Sequence, residues 1–203
     1  MVMQPDSANP AAQKSQQRAD FSARRKAMSP ADRDTANRAI LAYVEQLLHS
    51  TQAQRVAAYV PGALEPGGPE LVEFLHQRCA ELWLPCCLPK GVLQWGQYAS
   101  PATLRPGRYN IPEPPAPYYP SSILEELDLI FVPALAASAK GIRLGKGAGF
   151  YDRALEGITT ATALLLFQHE YPQDIATEAH DAGCDWTITP DKLWPNECRI
   201  FLP

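Results

Sequence analysis

Apolar runs alternate with segments of helical period along this chain, and the alternation limits the folds open to it more than any other feature. The runs are Val56–Val60, Leu82–Leu84, Leu127–Val132 and Ala163–Phe167, with a last short one at Trp186–Thr189. Strands apolar at nearly every position are buried on both faces, as in a parallel sheet covered by helices. Helical period is expected over 13–27, 30–49, 69–80 and from Phe150 to a stop at Gly157. In the second helix Ser29 is placed to cap, Pro30 to occupy N1 and Asp32 to complete a weak capping box. Ala36, Ile40, Tyr43, Val44 and Leu47 then share one face. The order predicts an α/β fold: three layers, α/β/α, around a mainly parallel sheet.

At 203 residues the chain suits one α/β domain spanning 1–203, with a frayed start at about 1–12. Twenty prolines are unusually many, and the run through 112–122 reads as an ordered, extended loop. A hairpin is expected near Leu93–Tyr98. The net charge of -4 gives no general attraction to nucleic acid. Up to Arg38, however, seven basic residues face four acidic ones, so a basic arm precedes an acidic body. It reads as a solvated helix face, a polynucleotide contact or a source of cations for one anionic ligand. Five cysteines without a C-x-x-C pair, and no apolar leader or membrane-length segment, predict a reduced cytoplasmic protein, with no membrane partner. His169, His180, Asp181 and Cys184 do not have the spacing of a common zinc site.

The chemistry concentrates in Gly141–Arg153, GIRLGKGAGFYDR, which follows the strand ending at Val132. Ligands of open α/β sheets bind beyond the carboxyl ends of strands. Gly145, Gly147 and Gly149 let backbone approach a bulky anion, and a helix starting at Phe150 would add its positive end. Arg143, Lys146 and Arg153 supply cations, and Asp152 could hold Mg²⁺. The string is neither a Walker A motif nor a dinucleotide fingerprint. The glycines alone fit a structural turn as well as a phosphate site. Four basic residues from Lys140 to Arg153, against one acid, favour phosphate.

The whole string R-L-G-K-G-A-G-F-Y-D resembles the signature of the 5-formyltetrahydrofolate cyclo-ligase family, and the likeness runs from about Lys14 to Trp194. The resemblance implies a fold similar to the sugar-phosphate isomerases and CoA transferases, with ATP, Mg²⁺ and a reduced folate as ligands. It implies that Lys14 and Arg18, one helical turn apart, contact ATP phosphates together with Gly145, Lys146, Gly147, Ala148, Gly149, Phe150, Tyr151 and Asp152. Arg143, Lys146, Tyr151 and Arg153 would be catalytic, with Mg²⁺ on Asp152. Glu65, Trp95, Tyr151 and Glu113, the last in Gly107–Pro114, would meet the folate. The implied reaction phosphorylates the formyl oxygen, after which N10 attacks and phosphate leaves. A monomer is expected.

The match departs from the family at four places. Ala137 and Ser138 stand where Phe-Asp is expected, and Gly67-Gly68 replace Asp-Thr. Glu170 replaces a glutamine. All four are expected on the folate side. A folate- or nucleotide-binding protein without turnover, and an isomerase or acyl-CoA transferase on the same scaffold, are the alternatives.

Overall fold

The computed structural model describes residues 10–177 and 182–197. Two long helices lead: α1, Pro10–Ala27, and α2, Pro30–Thr51. Residues 10–12, expected to fray, are the first turn of α1. Ser29 caps α2 as its sequence requires, accepting from the Asp32 amide at 3.1 Å and donating to the Asp32 carboxylate at 2.7 Å.

The strands and remaining helices follow as β1 (Arg55–Ala57), α3 (Leu71–His76), β2 (Glu81–Cys87), β3 (Leu93–Gln97), β4 (Arg105–Pro106), β5 (Pro112–Glu113), β6 (Leu129–Val132), β7 (Ala136–Ala137), β8 (Arg143–Leu144), α4 (Phe150–Ala154), β9 (Thr162–Leu165), β10 (Trp186–Ile188) and β11 (Leu193–Pro195). Seven of the strands form one sheet in the order β11-β10-β9-β6-β1-β2-β3. The pairs from β10 to β2 are all parallel, and only the edge strands β3 and β11 run antiparallel. The expected architecture is therefore the observed one.

Alternation along the strands assigns the layers. Leu129 and Phe131 of β6, with Val56, Leu82, Leu84 and Leu165, pack under Ile40, Val44 and Leu47 of α2 and Leu71 and Leu75 of α3. Ile130, Val132, Leu164 and Leu166 face the other way, against Trp95, Leu124 and Ala154. Each of these fully buried aliphatic side chains contributes about 1.5–3 kcal/mol of transfer free energy. The second layer is thin, because α4 has five residues and a 3-10 helix at Ser121–Glu126 covers the rest. Helix α1 lies apart from both, with Phe21 against Leu135, Ala136, Leu144 and Ile175 around the β7–β8 hairpin.

Several elements differ from their sequence expectation for local reasons. Strand β2 runs through Pro85, which the apolar run did not suggest. Its pairing with β1 ends at Trp83, so Pro85 meets only β3 and needs no donor on the other side. Helix α3 covers only Leu71–His76 of the expected 69–80. Gly67 and Gly68, both at positive φ, delay its start. The amides of Arg78 and Cys79 both close onto the Leu75 carbonyl, ending it. The proline-rich stretch folds back on β3, where the Trp95 and Tyr119 amides and carbonyls exchange bonds of 2.9 Å. Among the described residues, no helix is long and apolar enough to cross a membrane.

Replacing Ser29 by Ala removes the α2 cap and should lower stability by about 1 kcal/mol, read from the denaturant midpoint, with kcat unchanged.

Candidate active site

Strand order reverses at the pair β1 and β6. From β1 the chain passes through α3 to β2 on one side; from β6 it passes through α4 to β9 on the other. The crevice beyond their carboxyl ends is where an open α/β sheet takes its ligand. A cavity of about 400 Å³ opens there, walled by Tyr59 and Val60 after β1 and by Pro133 and Ala134 after β6. That volume suits a small-molecule site. Gly145–Asp152 forms the facing wall.

The glycine segment is held open by its own backbone and by two arginines. Gly147 sits at φ +92, and a Cβ there would lie 3.3 Å from the Arg18 guanidinium. Gly149, at φ +68, would press a Cβ to 2.7 Å from Arg153. A Cβ on Gly145 would meet nothing within 4 Å, so its face is open to a ligand. Arg18 donates from Nε to the Gly145 carbonyl at 3.0 Å. Arg153 donates to the carbonyls of Ala148 at 2.7 Å and Gly91 at 3.0 Å. Helix α4 is a single short turn, so the positive helix end expected from the sequence is a minor contribution beside these cations.

The charges in the cavity are paired. Lys146 Nζ is 2.7 Å from Glu65 Oε1, while Glu65 Oε2 accepts from the Gly62 amide at 2.7 Å. Arg143 is paired with Asp152. The Tyr151 hydroxyl is buried with no hydrogen-bond partner. Burial raises its pKa, Cys87 and Glu65 add to this and Arg143 opposes it, so it is a phenol and a donor. Tyr59 is likewise held protonated by burial, with Glu65 adding, and its hydroxyl donates to the Pro66 carbonyl at 2.8 Å.

The cavity wall brings together Glu65, Arg143, Gly145, Lys146, Gly147, Ala148, Gly149, Phe150, Tyr151 and Asp152, as the sequence grouped them. Other expected residues lie elsewhere. Trp95 is fully buried behind the wall, edge-on to Tyr151 at 6.2 Å, with its indole N–H on Ser121 Oγ. It supports the tyrosine and does not line the cavity. Glu113 accepts from the Cys87 amide at 2.9 Å and thereby fastens β5 to the end of β2. Arg153 has its donors on carbonyls and braces the loop from outside the cavity. Lys14 and Arg18 also stand outside the wall: Lys14 is buried on α1, and Arg18 lies at the outer rim of the glycine segment.

The four departures are not on the cavity wall either. Ala137 is buried in β7, and Ser138 Oγ accepts from the Ile142 amide at 3.3 Å, closing the β7–β8 turn. Gly67 and Gly68 precede α3, Gly67 donating to Asn37 Oδ1 at 3.1 Å. Glu170 is fully buried and paired with Arg25 at 2.7 Å. No group of three His, Cys, Asp or Glu side chains able to hold a metal occurs among the described residues; His180 and Asp181 lie outside them.

Sequence reasoning missed Tyr59, Cys87 and Tyr109 in the wall. Tyr59 was recoverable, because it stands next to last in the first apolar run, at a strand's carboxyl end. Tyr109 was not: it sits at φ +61 in a short turn and meets Phe150 edge-on at 6.1 Å.

A cavity at the reversal point of the strand order, walled by a glycine-rich, cation-bearing segment, is the small-molecule site of an α/β enzyme. The 5-formyltetrahydrofolate cyclo-ligase family model matches residues 10–190, and the chain belongs to that family. A 5-formyltetrahydrofolate cyclo-ligase of Mycolicibacterium smegmatis is 34% identical over 186 residues, 88% of this chain and 94% of that protein. One of Haemophilus influenzae is 28% identical over 151 residues, 72% of this chain and 81% of that one. The structure of Aquifex aeolicus 5,10-methenyltetrahydrofolate synthetase superimposes with a TM-score of 0.78, at 24% identity, covering 90% of this chain and 92% of that one.

The two glycines make opposite predictions. Gly147→Ala forces a side chain onto left-handed backbone under Arg18 and should cost about 1 kcal/mol or more in denaturant unfolding. Gly145→Ala should fold within about 0.5 kcal/mol of the parent, while its methyl intrudes on the open face of the cavity and should lower kcat/KM in a cyclo-ligase assay.

Proposed function

We propose that the chain cyclises 5-formyltetrahydrofolate to 5,10-methenyltetrahydrofolate with ATP and Mg²⁺, releasing ADP and phosphate. The observation that carries this reading is the meeting of Lys146, from the glycine segment, with Glu65, from beyond β1, at 2.7 Å in the cavity. One group suits a phosphoryl oxygen and the other suits the proton-bearing acceptor. On this reading the two substrates meet where these groups touch.

ATP lies along Gly145–Asp152, with Arg18 and Lys14 of α1 receiving phosphates at the outer rim. The formyl group enters towards Tyr151 and Glu65. Its oxygen attacks the γ-phosphorus and ADP departs, which turns a poor electrophile into an iminium phosphate. N10 then bonds to the formyl carbon, its proton passes to Glu65, and the C–O bond breaks to release phosphate. The protein's part is positioning and charge stabilisation. Lys146 leaves Glu65 for the transferring phosphoryl group, and Arg143 adds a second cation. Tyr151 donates to the formyl or bridging oxygen, a role suited to a buried phenol without a partner. Phe150, Tyr109 and Val60 line the apolar side.

Asp152 is the residue that fits Mg²⁺. It lines the cavity and is 69% exposed, with one oxygen on Arg143 and the other open. A single carboxylate suits this ion, which keeps waters and substrate phosphates as its other ligands. Bound there, Mg²⁺ would offset phosphate charge. We take one chain to be the working unit, because every group invoked comes from it, and small molecules to be its partners in a cytoplasmic setting.

With 5-formyltetrahydrofolate, the near-ultraviolet absorption of the methenyl product should grow only when ATP and Mg²⁺ are both present. Lys146→Ala should lower kcat by about 100-fold or more while leaving the melting temperature unchanged, since that side chain is 66% exposed. A protein that binds ATP yet gives no band with this folate contradicts the acceptor; full turnover by Lys146→Ala contradicts the phosphate role.

A further inference from the structure

Helix α1 must keep its place at the rim of the glycine segment, yet it has little apolar surface with which to do so. Its buried residues are Lys14, Phe21 and Arg25, and of these only Phe21 belongs to a hydrophobic cluster. Polar ties hold the helix instead. Gln17 donates to the Asp174 carbonyl at 2.7 Å.

Arg25 makes the most enclosed of these ties. Its Nε and Nη2 donate to the two oxygens of Glu170 at 2.7 and 2.9 Å, and Nη2 also donates to the Ala134 carbonyl at 2.6 Å. Glu170 accepts in addition from the Phe167 amide at 2.9 Å. The two side chains are 3% and 0% exposed, and the guanidinium lies 5.8 Å from the Phe167 ring centroid. His169 Nε2 is 3.7 Å from the same carboxylate. Burial pushes the imidazole below its ordinary value against the pull of Glu170, so Arg25 is the cation that Glu170 holds.

The partners of Arg25 sit beyond two neighbouring strands. Ala134 follows β6 and lines the cavity, and Glu170 follows β9. Arg18 lies seven residues before Arg25, about two turns and 10 Å along the same face of the helix. A buried ion pair is no more stabilising than an apolar pair of its volume, so stability does not explain this one. A forked, fully enclosed pair does fix the axial position and rotation of the helix that carries it.

We propose that Arg25 and Glu170 are positioning residues for ATP: they lock α1 in the register that sets Arg18 against Gly145 and Gly147. The proposal rests on the reading that α1 contacts the phosphates of ATP.

The test is steady-state kinetics and thermal unfolding of the full chain for Glu170→Gln, Arg25→Met, Arg25→Lys and the double variant Arg25→Met with Glu170→Gln. Arg18→Ala is run beside them. Each neutral single variant strands a buried charge and should melt below the parent. The double variant has no stranded charge, and its glutamine oxygen still accepts from the Phe167 amide, so it should melt close to the parent. Despite that recovery its KM for ATP should rise about tenfold, with the KM for folate within about twofold. Arg25→Lys keeps the charge without the fork and should also raise the KM for ATP; it decides the matter if the double variant does not fold. A parental KM for ATP in these variants, with Arg18→Ala raising it, overturns the positioning role alone. A parental KM for ATP in Arg18→Ala overturns the phosphate reading of α1 and the positioning role together.

Discussion

The divergence of the chain from β1 and β6 is the constraint on which the rest depends. Two adjacent parallel strands end side by side, and their continuations leave for opposite faces of the sheet. No backbone covers the ground between them, and that is the cavity. The residues that follow the strands become its walls without further design: Tyr59 and Val60 from β1, Pro133 and Ala134 from β6. The glycine segment then has only one place to go. It must return from the β7–β8 hairpin to β9 across the mouth of the crevice, and its glycines allow it to pass there with backbone exposed.

Charge in this site is arranged to be exchanged. Lys146 is held by Glu65, and Arg143 by Asp152. Such pairs at a partly exposed mouth contribute little to folding, and on the proposed function an incoming triphosphate would compete for the cations on favourable terms. Arg153 differs, because its Nε and Nη2 are used on backbone carbonyls and set the shape of the loop, while Arg18 commits its Nε to the Gly145 carbonyl. The same residue type therefore does two kinds of work within one segment, depending on whether it points into the cavity or along its back.

Much of this was legible in the sequence where a local rule applies. The Ser29 cap follows from Ser-Pro and Asp32, and β6 from its apolar run. The glycine string announced the segment that walls the cavity. What was not legible depends on direction or distance. Spacing shows that Arg153 is near the loop but not that its guanidinium turns to Gly91, 62 positions away. Trp95 stands in the short edge strand β3 and Glu113 in the two-residue β5, where the period is too short to tell which way a side chain faces; the first packs behind Tyr151 and the second holds the Cys87 amide. The departure at Glu170 reads in the sequence as a change on the folate side. In the fold it is the partner of Arg25, 145 positions away, a pairing that no local pattern could reveal.

The proposed function requires the glycine segment to be the phosphate wall facing Glu65. A crystal structure with a non-hydrolysable ATP analogue and Mg²⁺ tests it most directly. It should show the terminal phosphate against residues 146–149, Lys146 turned from Glu65 to a phosphate oxygen, and Arg18 within reach of the phosphate chain. A triphosphate bound away from this segment, with the Lys146–Glu65 pair undisturbed, would contradict it.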